Sequence, residues 1–266
     1  MLPRLIVGAV ILLAISSTPA LAQTTDATDL AQLVALRDKV GHAETRVRVA
    51  ALHRVWSLAL GSSSSDVKLA ALDLLGEPVG SSSDHIRMPA VYAMAEIAGS
   101  SRDAQVKVRA LSRLAEPLRA SQVPIRDVAI DAVNLIARFA DDPAVSLAAV
   151  RALGDPMRSG NNGVRIPAIN ALVRAVEGRY DAAAVQAAQD LLVAALDSDA
   201  MIGGMEVRMM AIAAMEKLGM GGGDVGAKAR AMGLLQAYAS RNGWEPEARA
   251  RALEAAKAVE ASLRKP

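Results

Sequence analysis

Residues 66–98 read DVKLAALDLLGEPVGSSSDHIRMPAVYAMAEIA, and residues 144–176 read AVSLAAVRALGDPMRSGNNGVRIPAINALVRAV. A shift of 78 residues aligns the two stretches without a gap, and twelve of their 33 positions are identical. The identities include Gly76 with Gly154 and Pro89 with Pro167. A fixed internal period is the mark of a repeat architecture. The alignment therefore predicts that a block of four helices has been duplicated.

A shorter period of about 20 residues runs through the same stretches and beyond them. Within each unit the apolar residues recur three and four positions apart, as in Val67, Ala71, Leu74 and Leu75. That spacing marks one face of an α-helix, and the alternation typical of strands is absent. Isolated helices of this length are marginal in water, so each must bury its apolar face against neighbours. Clear units start at Val47, Val67, Ile86, Val106, Ile125, Val145 and Val164, and weaker ones at Val185, Val207, Ala227 and Ala248.

The second position of the unit is basic in nine of these eleven copies. A residue repeated at one site in nearly every unit is typical of contacts between neighbouring repeats. We therefore interpret this basic ladder as structural rather than as a binding stripe for an acidic partner. Its main members are Arg48, Lys68, Arg87, Lys107, Arg126, Arg165 and Arg208.

The pattern of Val67, Lys68, Ala71, Leu75 and Gly76, which recurs 78 residues later, resembles the second helix of HEAT repeats, in particular the bacterial HEAT-like or bilin-lyase-type repeats. The segments around the two aligned prolines resemble the bent first helix of that repeat. The resemblance implies an all-α fold, a right-handed α-α superhelix of about twelve helices, from Leu30–Val40 to Glu247–Leu263. The order of first and second helices after Val185 stays open.

Second helices line the concave face in the family that the chain resembles. Side chains that do not repeat from unit to unit are the better candidates for binding a partner on such a face. On the helices that resemble second helices, these candidates are Asp73, Arg109, Arg113, Arg151 and Gln189.

The N-terminus carries the features of a secretory signal peptide. Arg4 is followed by an apolar run from Leu5 to Ile15 and a small-residue site ending at Ala22. The run is shorter than the roughly 20 residues of a membrane-spanning helix. We expect a cleaved signal at residues 1–22, a flexible segment at 23–28, a solenoid domain at 29–266, and a periplasmic or secreted protein without stable membrane insertion.

Composition argues against several functions. The whole chain has 30 basic and 28 acidic residues and no cysteine. Their near balance leaves no basic block for nucleic acid or anionic lipid, and six aromatic residues provide no stacking platform. Without cysteine the chain has no disulfide and no thiolate for metal binding or catalysis. Neither a nucleic-acid partner nor a cofactor is expected.

Several local motifs point to chemistry, and each has a structural interpretation that we favour. Six methionines between residues 201 and 220 could hold Cu(I) outside the cytoplasm, but methionine is also a flexible core filler. Gly221, Gly223 and Gly226 spell a dinucleotide motif, yet they follow a predicted helix and not a strand. The histidines are scattered, and no serine lies in a nucleophile elbow. Trp56 and Trp244 could anchor a partner or pack locally.

The function expected from the sequence is a non-enzymatic scaffold that binds a protein or peptide of unknown identity on its concave face. The alternative, taken from bilin-lyase-type relatives, is a groove that holds a small ligand such as a tetrapyrrole. Export, the absence of cysteine and the lack of clustered titratable residues weigh against it.

Overall fold

The computed structural model describes residues 18–138, 142–177, 181–197, 204–221 and 224–264. These residues form helices and connecting loops, and no strand occurs among them. The helices are α1 (Thr18–Val40), α2 (Thr45–Gly61), α3 (Ser65–Val79), α4 (Asp84–Gly99), α5 (Ala104–Arg113), α6 (Ala115–Leu118), α7 (Val123–Arg138), α8 (Pro143–Ala152), α9 (Gly154–Met157), α10 (Asn162–Val176), α11 (Ala182–Asp197), α12 (Gly204–Met220), α13 (Val225–Ala239) and α14 (Pro246–Leu263).

Two of these helices are single turns that continue a longer helix. α6 follows α5 after Leu114, and α9 follows α8 after Leu153. Pro117 and Pro156 lie in the short turns, and proline has no N–H to donate to the carbonyl four residues earlier, which interrupts the helical ladder. The described part of the chain thus contains twelve long helices, and the predicted all-α superhelical repeat fold is confirmed.

The long helices pack into two layers. In the first layer, neighbouring helices along the stack are α2, α4, α7, α10, α12 and α14; in the second layer they are α1, α3, α5, α8, α11 and α13. Each helix also packs against its sequence neighbours in the other layer. This assignment places α11 and α13 in the second layer and resolves the order of helices after Val185.

The core lies between the two layers and consists mainly of Ala, Val, Leu and Ile. Small residues let the helix axes approach closely. At Gly219 in α12, an added Cβ would lie 2.6 Å from a γ-methyl of Val259 in α14, so only glycine fits this contact without movement. Close approach replaces the aromatic side chains that this chain lacks as a source of buried contact area.

The basic ladder is buried, as its structural interpretation requires. Lys68, Lys107, Arg126 and Arg165 are each at most 8% exposed. Arg126 donates from Nη1 to the carbonyl oxygen of Ala120, at 3.2 Å. These groups connect helices within the stack and are not available to a partner.

Arg87 shows how one ladder residue joins three elements. Its Nε donates to the carbonyl oxygen of Val79 at the end of α3, at 2.9 Å. Nη2 donates to Glu116 of α6 at 2.7 Å, and Nη1 donates to Gln122 before α7 at 3.1 Å. Arg48 uses the same Nε contact, to Val40 at the end of α1. The planar guanidinium has enough donors to serve all of these acceptors at once.

The register expected for one repeat is wrong by one residue. In α8 the inward pair is Val145 and Ser146, and in α11 the equivalent buried pair is Ala184 and Val185. The repeat therefore starts at Ala184 and not at Val185. Gln186, which the sequence pattern places in the ladder, is exposed.

The first helix is longer than expected. α1 begins at Thr18, so residues 23–28, predicted to be a flexible segment, are helical. No glycine or proline lies between residue 23 and Val40 to end the helix. Residues 1–17, which hold most of the predicted signal peptide, lie outside the described residues. At the other end, α14 closely matches the predicted helix.

We expect Arg165→Ala to destabilise the protein by about 2–4 kcal/mol, because Arg165 is 1% exposed and its Nη2 donates to the Ala195 carbonyl of α11 at 2.6 Å. Urea unfolding followed by circular dichroism at the helix band measures the change. Arg174→Ala, at an exposed site on the same helix, is the control and should change stability by no more than about 0.5 kcal/mol. Equal effects of the two variants would contradict a structural role for the ladder.

Candidate interaction surface

The exposed face of the second layer carries residues that differ from helix to helix. Six positions after the first inward residue of each unit stand Asp73 in α3, Ser112 in α5, Arg151 in α8 and Asp190 in α11, all exposed. The buried residues of the same helices repeat, whereas these do not. Such variation is typical of side chains that no packing contact constrains.

Three of the predicted binding residues form one cluster between α3 and α5. The carboxylate of Asp73 accepts a hydrogen bond from Arg109 Nη1 at 2.7 Å and from Arg113 Nη2 at 2.8 Å. Between 41% and 46% of each of these side chains is exposed. The cluster is accessible, but its charges are already partly neutralised by each other.

The two arginines change the acidity of Asp73. Burial raises the pKa of the Asp73 carboxyl, but the hydrogen bonds and positive charges of Arg113 and Arg109 outweigh it and hold the pKa below its usual value. Asp73 is therefore ionised at neutral pH, and one net positive charge remains on the cluster.

The other two predicted residues differ from each other. Arg151 is exposed on α8. Gln189 is fully buried: its Nε2 donates to the Ala227 carbonyl at 2.9 Å, and its Oε1 accepts from Arg230 at 3.1 Å. Gln189 is not accessible to a partner, because the corrected register of α11 turns it into the core.

The residue on α11 that corresponds to Asp73 is Asp190. It pairs with Arg230 of α13, just as Asp73 pairs with Arg109 of α5. Sequence analysis missed this pair because the one-residue slip in α11 assigned its place to Gln189. An alignment of the inward residues at Ala184 and Ala227 would have revealed it.

Asp155 forms a further ion-pair cluster on the second layer. It accepts hydrogen bonds from Arg158 and from Arg119, the residue after α6. Both arginines lower the pKa of the Asp155 carboxyl. Together with the Asp73 and Asp190 pairs, this cluster joins neighbouring repeats across the exposed face.

A groove of about 430 Å³ lies between α1 and α3 at the edge of this face. Apolar side chains form much of its wall, and Arg37, Asp73 and Glu77 add charge. Val34 is 67% exposed, which is unusual for a large apolar residue. The groove is lined by Leu30, Leu33, Val34, Arg37, Val40, Ala70, Asp73, Leu74 and Glu77.

Trp244 occupies a packed position near the last loop. It stacks on Tyr238 with 4.9 Å between the ring centroids, and the guanidinium carbon of Arg208 lies 5.1 Å from a Trp244 ring centroid. Burial and the nearby Asp197 raise the pKa of Tyr238 to about 12. The structural interpretation fits Trp244, and Trp56 packs partly buried against the core.

The remaining sequence motifs fall in separate places. Met215 is buried, Met205, Met209 and Met210 are partly buried against the core, and Met201 lies outside the described residues. Gly221 follows α12, and Gly226 lies in the first turn of α13. Across the described ranges, no three His, Asp or Glu side chains are grouped as metal ligands would be. None of the helices in these ranges has both the length and the hydropathy to span a membrane.

Comparisons with known proteins give similarity in structure only. No protein-family model matches the sequence, and no curated protein is significantly similar to it. A HEAT-like repeats protein from the archaeon Thermococcus onnurineus NA1 is 13% identical, with a TM-score of 0.49 over 91% of this chain and 93% of its own. A designed armadillo repeat protein is 20% identical, with a TM-score of 0.46 over 85% and 99%. An engineered protein is 19% identical, with a TM-score of 0.49 over 87% and 97%.

The Asp73 cluster should make stability depend on pH. Because the folded-state pKa of Asp73 is lowered, its contribution is present above the ordinary value of 3.8 and is lost as the pH falls through the lower folded-state value. We expect Asp73→Asn to lower the unfolding free energy by about 0.5–1 kcal/mol at neutral pH, the range for exposed pairs. Denaturant titrations at neutral and acid pH should show this difference shrinking below pH 3.8.

Asp38→Asn is the control, since Asp38 is an exposed carboxylate on α1 with no ion pair in the described structure. Its difference from the parent protein should stay small at both pH values. A constant difference for Asp73→Asn across the titration would show that the ion pairs do not contribute.

Proposed function

We propose that this chain is an exported, non-enzymatic HEAT-like repeat scaffold that binds a protein or peptide along the exposed face of its second layer, the concave side in the family that it resembles. The observation that carries the proposal is the contrast between repeated buried positions and varied exposed ones. Repetition builds the stack, whereas Asp73, Ser112, Arg151 and Asp190 give each repeat a different exposed group.

The second layer presents the means to bind an extended polypeptide. The groove between α1 and α3 supplies an apolar edge, and the clusters around Asp73 and Asp155 supply charged groups at successive repeats. Solenoids use such extended surfaces because contact area grows with each repeat. A partner would exchange water at these exposed groups for hydrogen bonds, while the buried ladder stays unchanged.

Export is the second part of the proposal and rests on the N-terminal sequence. A basic residue, a short apolar run and a small-residue site before Gln23 are the features that signal peptidases recognise. Cleavage after Ala22 would shorten α1 at its start. Leu30, Leu33 and Val40, which line the α1–α3 groove, would remain.

Expression in a bacterial host and N-terminal sequencing of the envelope fraction tests export. The expected mature chain starts at Gln23 and is found in the periplasm or medium. Ala20→Lys/Ala22→Lys should block processing, because the cleavage site requires small residues. A full-length chain that starts at residue 1 or 2 and stays in the cytoplasm would contradict export.

Site-specific cross-linking tests the binding face. A photo-reactive amino acid at Ser112 or Arg151, both exposed on the second layer, should give the same covalent adduct in the envelope of the native host. Leu253, which is 45% exposed on α14 at the end of the stack, is the control position and should not give that adduct. No adduct at either second-layer position, or the same adduct at all three, would refute the proposed face.

A further inference from the structure

The first layer carries a second surface, on the opposite side of the stack from the one proposed above. α4 exposes Tyr92 and Glu96, and α7 exposes Asp131, with Asp127 half-buried one turn before it. Tyr92 is 48% exposed in a chain with only three tyrosines. We call these four residues the acidic face.

A contact between the two helices brings the acidic face together. Leu135 of α7 lies against Gly99 of α4, where an added Cβ would be 3.5 Å from Leu135 Cγ. α4 and α7 are alternate helices of an up-and-down stack and run in the same direction. One turn back from this contact, Asp131 therefore lies beside Glu96, and a further turn back Asp127 lies beside Tyr92.

The three carboxylates of the acidic face lack cationic partners in the described structure. Ion pairs there join Arg87 to Glu116 and Arg208 to Glu245, for example, and none includes Glu96, Asp127 or Asp131. Like charges four residues apart on a helix, as at Asp127 and Asp131, destabilise it by about 0.2–0.5 kcal/mol. The stack does not need this arrangement, and it bears a small cost for it.

Two acceptors in the same place lack donors. Asp127 Oδ1 and Asn134 Oδ1, both on α7, are shielded from solvent and accept no hydrogen bond from the protein. Most such acceptors in folded proteins have a partner, and each unpaired one costs free energy. A ligand that brings several N–H donors and a positive charge would satisfy both the acceptors and the carboxylates.

A partly buried apolar row runs beside the acidic face from repeat to repeat. It is formed by equivalent positions near the start of successive first-layer helices and crosses the stack at right angles to the helices. A polypeptide that follows it would be extended and would reach the acidic face from the side. The row contains Val49, Val128, Ile166, Met209 and Met210.

We propose that the acidic face binds an arginine or lysine side chain of an extended, basic segment of a partner polypeptide. The cation packs on the exposed ring of Tyr92, between Glu96 on one helix and Asp127 and Asp131 on the other. Charge complementarity selects this occupant: a nucleic acid or an anionic lipid would be repelled. This surface does not depend on the second-layer face proposed above.

A direct test uses a fluorescein-labelled peptide of four Arg-Ala units and the purified protein, with binding measured by fluorescence anisotropy at low salt. The charge-reversed peptide of four Glu-Ala units should not bind. Glu96→Gln/Asp131→Asn should weaken binding of the cationic peptide about five- to tenfold, and added salt should reduce this difference.

The matched control is Glu206→Gln/Glu254→Gln, which removes two exposed first-layer carboxylates on α12 and α14. It changes the net charge equally and should alter binding less than about twofold. Tyr92→Leu should weaken binding about two- to fivefold, whereas Tyr92→Phe, which keeps the aromatic ring, should not. Circular dichroism confirms that each variant is folded.

The proposal is overturned if the cationic peptide does not bind, if the control weakens binding as much as Glu96→Gln/Asp131→Asn, or if both peptides bind equally. Those results would leave the second-layer cross-links unaffected. Conversely, cross-linking could fail while the peptide still binds the acidic face. The two surfaces are therefore tested separately.

Discussion

Burial of small apolar side chains between two layers of helices is the interaction on which the rest of this structure depends. Each helix is too short to be stable alone and presents its inward stripe to neighbours on both sides and in the other layer. Since the contacts are between nearest neighbours, stability accumulates along the stack. Alanine and valine dominate the core, so the helices must lie close, and at Gly219 the approach allows no side chain at all.

The buried basic residues solve a second problem, which close packing creates. Each helix ends with carbonyl groups that have no partner within the helix, and the layers shield several of these ends from water. Arg48 and Arg87 donate to the last carbonyls of α1 and α3, and Arg165 donates to a carbonyl of α11. Arginine suits this role because its charge survives burial and its fork serves several acceptors.

This division of labour leaves the outer faces available for function. On the second layer, carboxylates and arginines of neighbouring repeats pair with each other, so a partner there would compete with existing ion pairs. On the first layer, the carboxylates around Tyr92 have no such pairs in the described chain. The two faces therefore favour different partners: the second layer a polypeptide of mixed charge, the first layer a basic segment.

The amino-acid sequence by itself determined the helical class, the repeat length and the inward position of the basic ladder, because each depends on local periodicity. The duplication of residues 66–98 even placed Pro89 and Pro167 at equivalent positions. Only the tertiary structure decided which helices share a layer, since both layers carry the same pattern. It also decided the register of α11, where alanines on adjacent positions make a one-residue slip invisible, and so exchanged Gln189 for Asp190. The acidic face could not be found in the sequence, because its residues come from two helices that meet only through packing.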